Sequence, residues 1–398
     1  MGAPRCRSGL RRHRRRGGLL TPAARAGSRR CARGVGGPFH ARPDRGVQLH
    51  AGYTQRVRTM SRVKRSLTMR DVGLHAGVSP ITVSRALANH ASVTAETREA
   101  VLIAAKELGY VPDFTARALS RRGSKLVALL LPNIANSVFA ETVHGINDVL
   151  GKAGFSLIIA HSGYSAEREE ELIRGLLGYR PDAAILTGFT HTQGTRTMLR
   201  RAGMPVVETW NIGPEPIDLA VGFSNFKAGL EVTRYLISKG HRRLAYCGGT
   251  QTDNERTRGR EEGFRQALAE ANLPANEAWI SSAPMELESG AALARQFHAL
   301  GKGAWRPQAI FVASDMIASG FVLEGDQLGI RVPHDVAVAG FDDTPLGRAI
   351  RPSLTTVNVR QREIGRWAAD LALRRLRGET IANPVHDVGF SIIQRESA

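Results

Sequence analysis

The stretch NERTRGREEGF carries two arginines, Arg256 and Arg260, four residues apart. On a helix that spacing puts both guanidiniums on one face, so both can reach one ligand. Two further stretches, ASDMIASG and GFDDTPLG, follow apolar runs and offer Ser314, Asp315 and Asp342. Carboxylates at strand ends suit paired hydrogen bonds to the vicinal hydroxyls of a sugar. Each aspartate alone serves equally well as a helix cap or turn former. No GxxxxGK[ST], HExxH or strand-borne GxSxG motif accompanies them, so no enzyme is expected. The three cysteines, Cys6, Cys31 and Cys247, have no ligand spacing. They point to a reducing compartment, with neither metal nor cofactor.

A second set of residues suits a different partner. Thr68 can cap a short helix with Asp71 in its first turn, and Gly77 supplies the positive φ of a tight turn. Ser79 then caps a second helix with Pro80 at its first position. Val83 and Leu87 face inward along it. A third helix starts at Thr94, turns Val101, Ala105 and Leu108 to one side, and stops at Gly109. Ile81, Thr82, Ser84 and Arg85 remain on an open face at the start of the second helix. In a helix–turn–helix that end enters the major groove, where Arg85 reaches guanine edges or phosphates and Ile81 a thymine methyl. An ordinary αα-hairpin is the plainer alternative.

Stepping outward, residues 67–111 form this small all-α headpiece and residues 112–125 a basic linker. From there apolar runs alternate with amphipathic helices: LVALLL, FSLIIA, DAAILTG, PVVETW, RRLAYCG, AIFVAS and VAVAGF. Such runs with intervening helices imply parallel sheets covered on both faces. They are too many for one modest sheet. The expected fold is a helix–turn–helix headpiece plus an α/β core of two doubly wound subdomains, with ligands bound at the carboxyl ends of the strands.

The stretch TMRDVGLHAGVSPITVSR resembles the DNA-binding signature of the lactose-repressor (LacI-type) family of bacterial transcription factors. The resemblance runs from about Leu67 to the C-terminus. One departure is Gly73, where the family usually has Ala; an interior glycine costs about 1 kcal/mol and softens the first helix. The resemblance implies a core like that of periplasmic sugar-binding proteins, spanning 126–398. Its first subdomain would be 126–222 with 353–380, and its second 223–352 with 381–398, the chain crossing near Phe223, Pro352 and Ile381. It also implies a homodimer on palindromic operator DNA, with paired hinge helices. Leu119 would wedge into the minor groove while Arg117, Arg121 and Arg122 neutralise phosphates. Arg260 falls at the family's effector-binding position. The stretches LLPNIANSVFAE, AHSGY, ILTGFTHT and DLAVGFSNF resemble the branch that governs gluconate operons. A sugar acid would then set its carboxylate on Arg260 or Arg256 and its polyol on Asp342, Thr187 and Thr190. Val138 and Phe139 open a helix whose N-terminus suits an anion. His161 and His191 rank lower. Idonate or ketogluconate, and activation in place of repression, remain open alternatives.

Charge adds less than it suggests. The net +19 is concentrated in residues 1–66, where 17 Arg and one Lys face one acid, Asp44; that segment holds +17 and the rest only +2. So Arg-rich and poor in large apolar residues, it is expected to be disordered. GGLLTPAARA is too short and polar for an export signal, and translation starting at Met60 or Met69 is the plainer reading. No run of about 18 apolar residues suits a membrane. A cytoplasmic, nucleoid-associated protein is expected.

Overall fold

The computed structural model describes residues 67–111, 123–134, 136–213, 215–249, 254–301 and 306–398. The linker positions Arg117, Leu119, Arg121 and Arg122, and the whole Arg-rich segment, lie outside the described residues.

The headpiece consists of α1 (Met69–Ala76), α2 (Pro80–Leu87) and α3 (Ala95–Leu108). Val72, Val83, Ala86 and Val101 close its core, with Ala76, Leu87 and Leu108 packed against them. Two of the three expected caps accept from their helices. Ser79 accepts from Thr82 N, and Thr94 from Thr97 N. The glycine in α1 has a packing reason. A Cβ on Gly73 would stand 2.6 Å from the Val78 carbonyl oxygen, so an alanine here requires the turn to shift. The expected softening of α1 is therefore only part of the account.

The core follows as β1 (Leu126–Leu131), α4 (Val138–Leu150), β2 (Ser156–His161), α5 (Ala166–Leu177), β3 (Ala183–Thr187), α6 (Gln193–Ala202), β4 (Val206–Thr209) and β5 (Leu219–Gly222). Next come α7 (Asn225–Ser238), β6 (Leu244–Gly249), α8 (Glu255–Glu270), β7 (Ile280–Ala283), α9 (Leu287–Ala299), β8 (Ala309–Val312), α10 (Asp315–Gln327), β9 (Ala337–Ala339) and α11 (Pro345–Ala349). The chain ends through β10 (Thr356–Asn358), α12 (Gln361–Leu376), β11 (Val385–Asp387) and β12 (Ser391–Ile393).

Two large sheets result, ordered β11-β5-β4-β3-β1-β2 and β7-β6-β8-β9, beside a two-stranded β10-β12 pair. Every pairing within the two large sheets is parallel. Alternate residues of β1 serve opposite faces. Val127, Leu129 and Leu131 pack with Ile146 of α4 and Ile364 of α12, while Ala128 and Leu130 pack with Ile173 of α5 and Leu199 of α6. Each such Val, Leu or Ile side chain, fully buried, contributes roughly 1.5–3 kcal/mol.

Three segments link the lobes. The first follows β5, between Gly222 and Asn225. The second comes later than Pro352, because Thr355 still bridges Ala339 of the second sheet and α12 packs on the first lobe. The third comes later than Ile381. Val385–Asp387 pairs in parallel with β5 of the first sheet, so residues 381–398 are not all second lobe. Only beyond β11 does β12 pair antiparallel with β10, and Ser397 Oγ donate to Val338 O. The reason is hydrogen bonding: β5 would otherwise expose an unpaired edge.

Candidate functional site

On the headpiece, Ser79, Pro80, Ile81, Ser84 and Arg85 are exposed and Thr82 is half-buried. Ile81 keeps 65 % of its surface open, though Val83 two residues on keeps none; the helix period sets that contrast. No ion pair holds Arg85 among the described residues, so its guanidinium is available. Thr68 is otherwise engaged. Its Oγ1 and N–H both donate to Asp71 Oδ2, at 2.6 and 2.7 Å.

In the core, the carboxyl ends of both sheets face one cleft. The first lobe contributes Pro132, the loop at 162–165, and Thr187 with the loop at 188–191; the second contributes the start of α8. Helix α8 is drawn against α7 by close backbone approach: a Cβ on Gly229 would lie 2.2 Å from Arg260 O. That approach brings Asn225 to Arg260, whose Nε donates to Asn225 Oδ1 at 2.9 Å. Nη1 of Arg260 donates to Ala313 O at 2.8 Å, and the guanidinium lies 3.6 Å over the Phe341 ring. Arg260 is thus a buried and largely occupied cation.

Arg256 differs. Its side chain is only 7 % exposed, yet it has no hydrogen bond among the described residues; the neighbouring Glu255 carboxylate lies 3.6 Å away. Gly188, at φ +90°, makes the room, since a Cβ there would meet Arg256 Nη1 at 2.3 Å. A buried guanidinium with open donors calls for an acceptor. Beside the two arginines stands Asp342, at φ 106°. Burial pushes its carboxyl up to about 8, against the pull of Arg260 and with a push from Asp315. Near neutral pH it is a protonated donor. Thr187 and the Tyr164 phenol complete the hydroxyl-bearing wall. Thr187 Oγ1 already donates to Leu130 O, leaving its lone pairs for the cavity.

Several expected contacts lie elsewhere. Asp315 is fully buried and accepts from Thr344 N, Thr344 Oγ1 and Thr356 Oγ1. It anchors the turn at Thr344 and does not cap a helix. Ser314 caps α10 by accepting from Met316 N. The N-terminus of α4 is no open anion site. Val138 N donates to Asn136 Oδ1, Phe139 N to Asn136 O and Ala140 N to Ser137 O. Phe139 itself packs edge-on to Trp210 at 5.0 Å, and Val138 is core. Thr190 Oγ1 donates to Glu255 Oε2 at 2.8 Å. His161 is exposed. His191 is buried between Glu169 and Glu208. Tyr164, Glu255 and Glu169 are the wall residues that sequence reasoning missed. The pair Glu255-Arg256 at the head of α8 was the one local signal for them.

Residues 68–113 match the description "Bacterial regulatory proteins, lacI family", and residues 233–398 match "Periplasmic binding protein-like domain". The chain is 39 % identical over 334 residues to the HTH-type transcriptional regulator GntR of Pseudomonas aeruginosa, covering 83 % of this chain and 95 % of the relative. It is 35 % identical over 329 residues to the Escherichia coli K12 regulator of the same name, covering 83 % and 98 %. A solved LacI-family transcriptional regulator from Silicibacter pomeroyi superposes with a TM-score of 0.77 at 33 % identity, covering 83 % of this chain and 99 % of the other. With the headpiece, the two-lobed core and relatives this similar over most of its length, the chain belongs to the lacI family of bacterial regulatory proteins and is a helix–turn–helix transcription regulator, not an enzyme.

Proposed function

We propose that this protein is a homodimeric repressor that binds palindromic operator DNA through its headpiece and releases it when a sugar acid, foremost gluconate, enters the cleft. The observation that carries the effector reading is the Arg256 guanidinium, buried without a hydrogen bond among the described residues and facing hydroxyl-bearing walls. One carboxylate on Arg256, with hydroxyls on Asp342, Thr187 and Tyr164, satisfies that arrangement. Arg260 supports it from behind. The sequence resemblance to gluconate-operon regulators and the two GntR relatives favour the same ligand class.

The cavity encloses about 30 Å³, room for a water rather than for a six-carbon acid. The lobes therefore part to admit the ligand, and that movement is the step coupled to DNA. The ligand acts only through its differential affinity for the two lobe arrangements. On the operator, Ile81 and Arg85 read base edges, Leu119 wedges into the minor groove and Arg117 neutralises a phosphate.

The test uses the full chain and an operator selected by it from a random duplex library. Fluorescence anisotropy then follows operator affinity as gluconate is added. Gluconate should lower it by at least about tenfold, within the usual range of allosteric coupling. An unchanged affinity removes gluconate as inducer, and a parallel series with idonate and ketogluconate identifies the alternative.

A further inference from the structure

Glu255 stands at the head of α8 in the second lobe, yet its carboxylate is held by the first. Oε1 accepts from Phe189 N at 3.0 Å and Oε2 from Thr190 Oγ1 at 2.8 Å. Its buried position resists ionisation, while Arg256, Thr190 and the Phe189 amide hold it below the ordinary glutamate value, so it is charged. It touches the same cavity as Arg256, its sequence neighbour. Across the cleft the Tyr164 hydroxyl reaches Met285 Sδ at 3.9 Å, a second link between the lobes.

The charges around the cavity divide unevenly. Glu169 is matched by His191 at 2.5 Å. Arg260 is turned to Asn225 and Ala313. Among the described residues that leaves one guanidinium with open donors, Arg256, and beside it at 3.6 Å the wall carboxylate of Glu255. A single ligand carboxylate fits Arg256. A second negative charge on the same ligand finds no free cation among the described residues of the wall and is repelled by Glu255 through a low-dielectric space.

We infer that Glu255 is the specificity-determining residue that restricts the cleft to singly charged sugar acids and rejects doubly charged ones. This rests on the sugar-acid reading above and goes further, since it names the charge class and the residue that enforces it.

Calorimetry on the full chain measures the affinity ratio of gluconate to glucarate, the six-carbon diacid. Wild type should favour gluconate by at least about tenfold. Glu255→Gln keeps an acceptor for Phe189 and a partner for Thr190 while removing the charge, and should narrow the ratio by about tenfold. Thr190→Val keeps the charge and removes one link between the lobes; its ratio should stay within about twofold of wild type. A probe independent of any variant is the monomethyl ester of glucarate, which should bind wild type within about threefold of gluconate. An unmoved ratio in Glu255→Gln, an equal shift in Thr190→Val, or a methyl ester bound as weakly as glucarate overturns the inference alone when wild type binds gluconate. If wild type binds neither acid nor ester, the sugar-acid reading fails and takes this inference with it.

Discussion

His191 Nδ1 lies 2.5 Å from Glu169 Oε1, and its Nε2 lies 3.2 Å from Glu208 Oε1, with no part of the imidazole side chain exposed. The ring ties α5 to β4 behind the cleft. Burial works against its charge, but Glu169 and Glu208 outweigh burial and raise it from 6.5 to about 9. A raised value means stability that is full below pH 6.5 and lost as pH rises through 9. The difference amounts to about 3 kcal/mol. Thermal melts should therefore drop between pH 7 and 10 in wild type. His191→Gln should melt lower at pH 6 and approach wild type near pH 10. A constant gap across that range contradicts a charged His191.

Arg256 and Arg260 should respond differently to removal. Arg256 makes no hydrogen bond within the described residues but pairs with the Glu255 carboxylate at 3.6 Å, so Arg256→Gln should lower stability, by less than Arg260→Ala does. It should weaken gluconate binding by about 30- to 100-fold, the worth of a charge-assisted pair. Arg260 is hydrogen-bonded to Asn225 and Ala313 O and stacked on Phe341. Arg260→Ala should lose both ligand binding and about 2–4 kcal/mol of stability. Calorimetry paired with denaturant melts separates the two. Equal stability loss in both variants refutes the division of labour.

Much of this was legible, and the limits are physical. The three headpiece helices follow from caps and spacing within a few residues, which the chain displays directly. The parallel strands show as apolar runs because both of their faces are covered. β7, ISSA, is a half-exposed edge strand and carries no such run. β11 and β12 are three residues each, and their partners lie far away in sequence. The spacing of Arg256 and Arg260 puts both on one helix face, but of the two Arg256 lines the cavity, and which has open donors depends on Asn225 and Ala313, 35 and 53 residues from Arg260. Likewise Asp315 and Asp342 look alike as strand-end carboxylates. Thr344 and Thr356 make the first a turn anchor, while the second has no hydrogen bond at its carboxyl among the described residues.

Asp342 gives a pH signature of opposite origin. Burial, helped by Asp315 and opposed by Arg260, raises it from 3.8 to about 8. Between those values the folded protein keeps a proton that the unfolded chain has released. Its contribution therefore falls as pH rises from about 4 to about 8 and levels beyond. Asp342→Asn removes that loss. The variant should match wild type in denaturant melts near pH 4 and exceed it by about 1–3 kcal/mol at pH 8. Equal stability at both ends places the carboxyl in a more solvated setting than the structure does.

The open face of α2 makes the last prediction, because nothing in the headpiece core needs it. Val83 and Ala86 carry the packing of α2, while Ile81 and Arg85 on the same helix are exposed. Arg85→Ala should then keep the melting temperature and the gluconate affinity of wild type. Its operator affinity should fall by about 1–3 kcal/mol if Arg85 reads a guanine, with discrimination lost at one base pair. A phosphate contact would instead weaken all duplexes alike and reduce the salt slope by about one. Ile81→Ala should lose preference for a thymine at one position and leave the salt slope unchanged, since no charge is removed. Anisotropy with single-base operator variants at two salt concentrations distinguishes these outcomes. If both variants bind the selected operator as wild type does, α2 is not the reading helix, and the interface must be sought on α1 or α3.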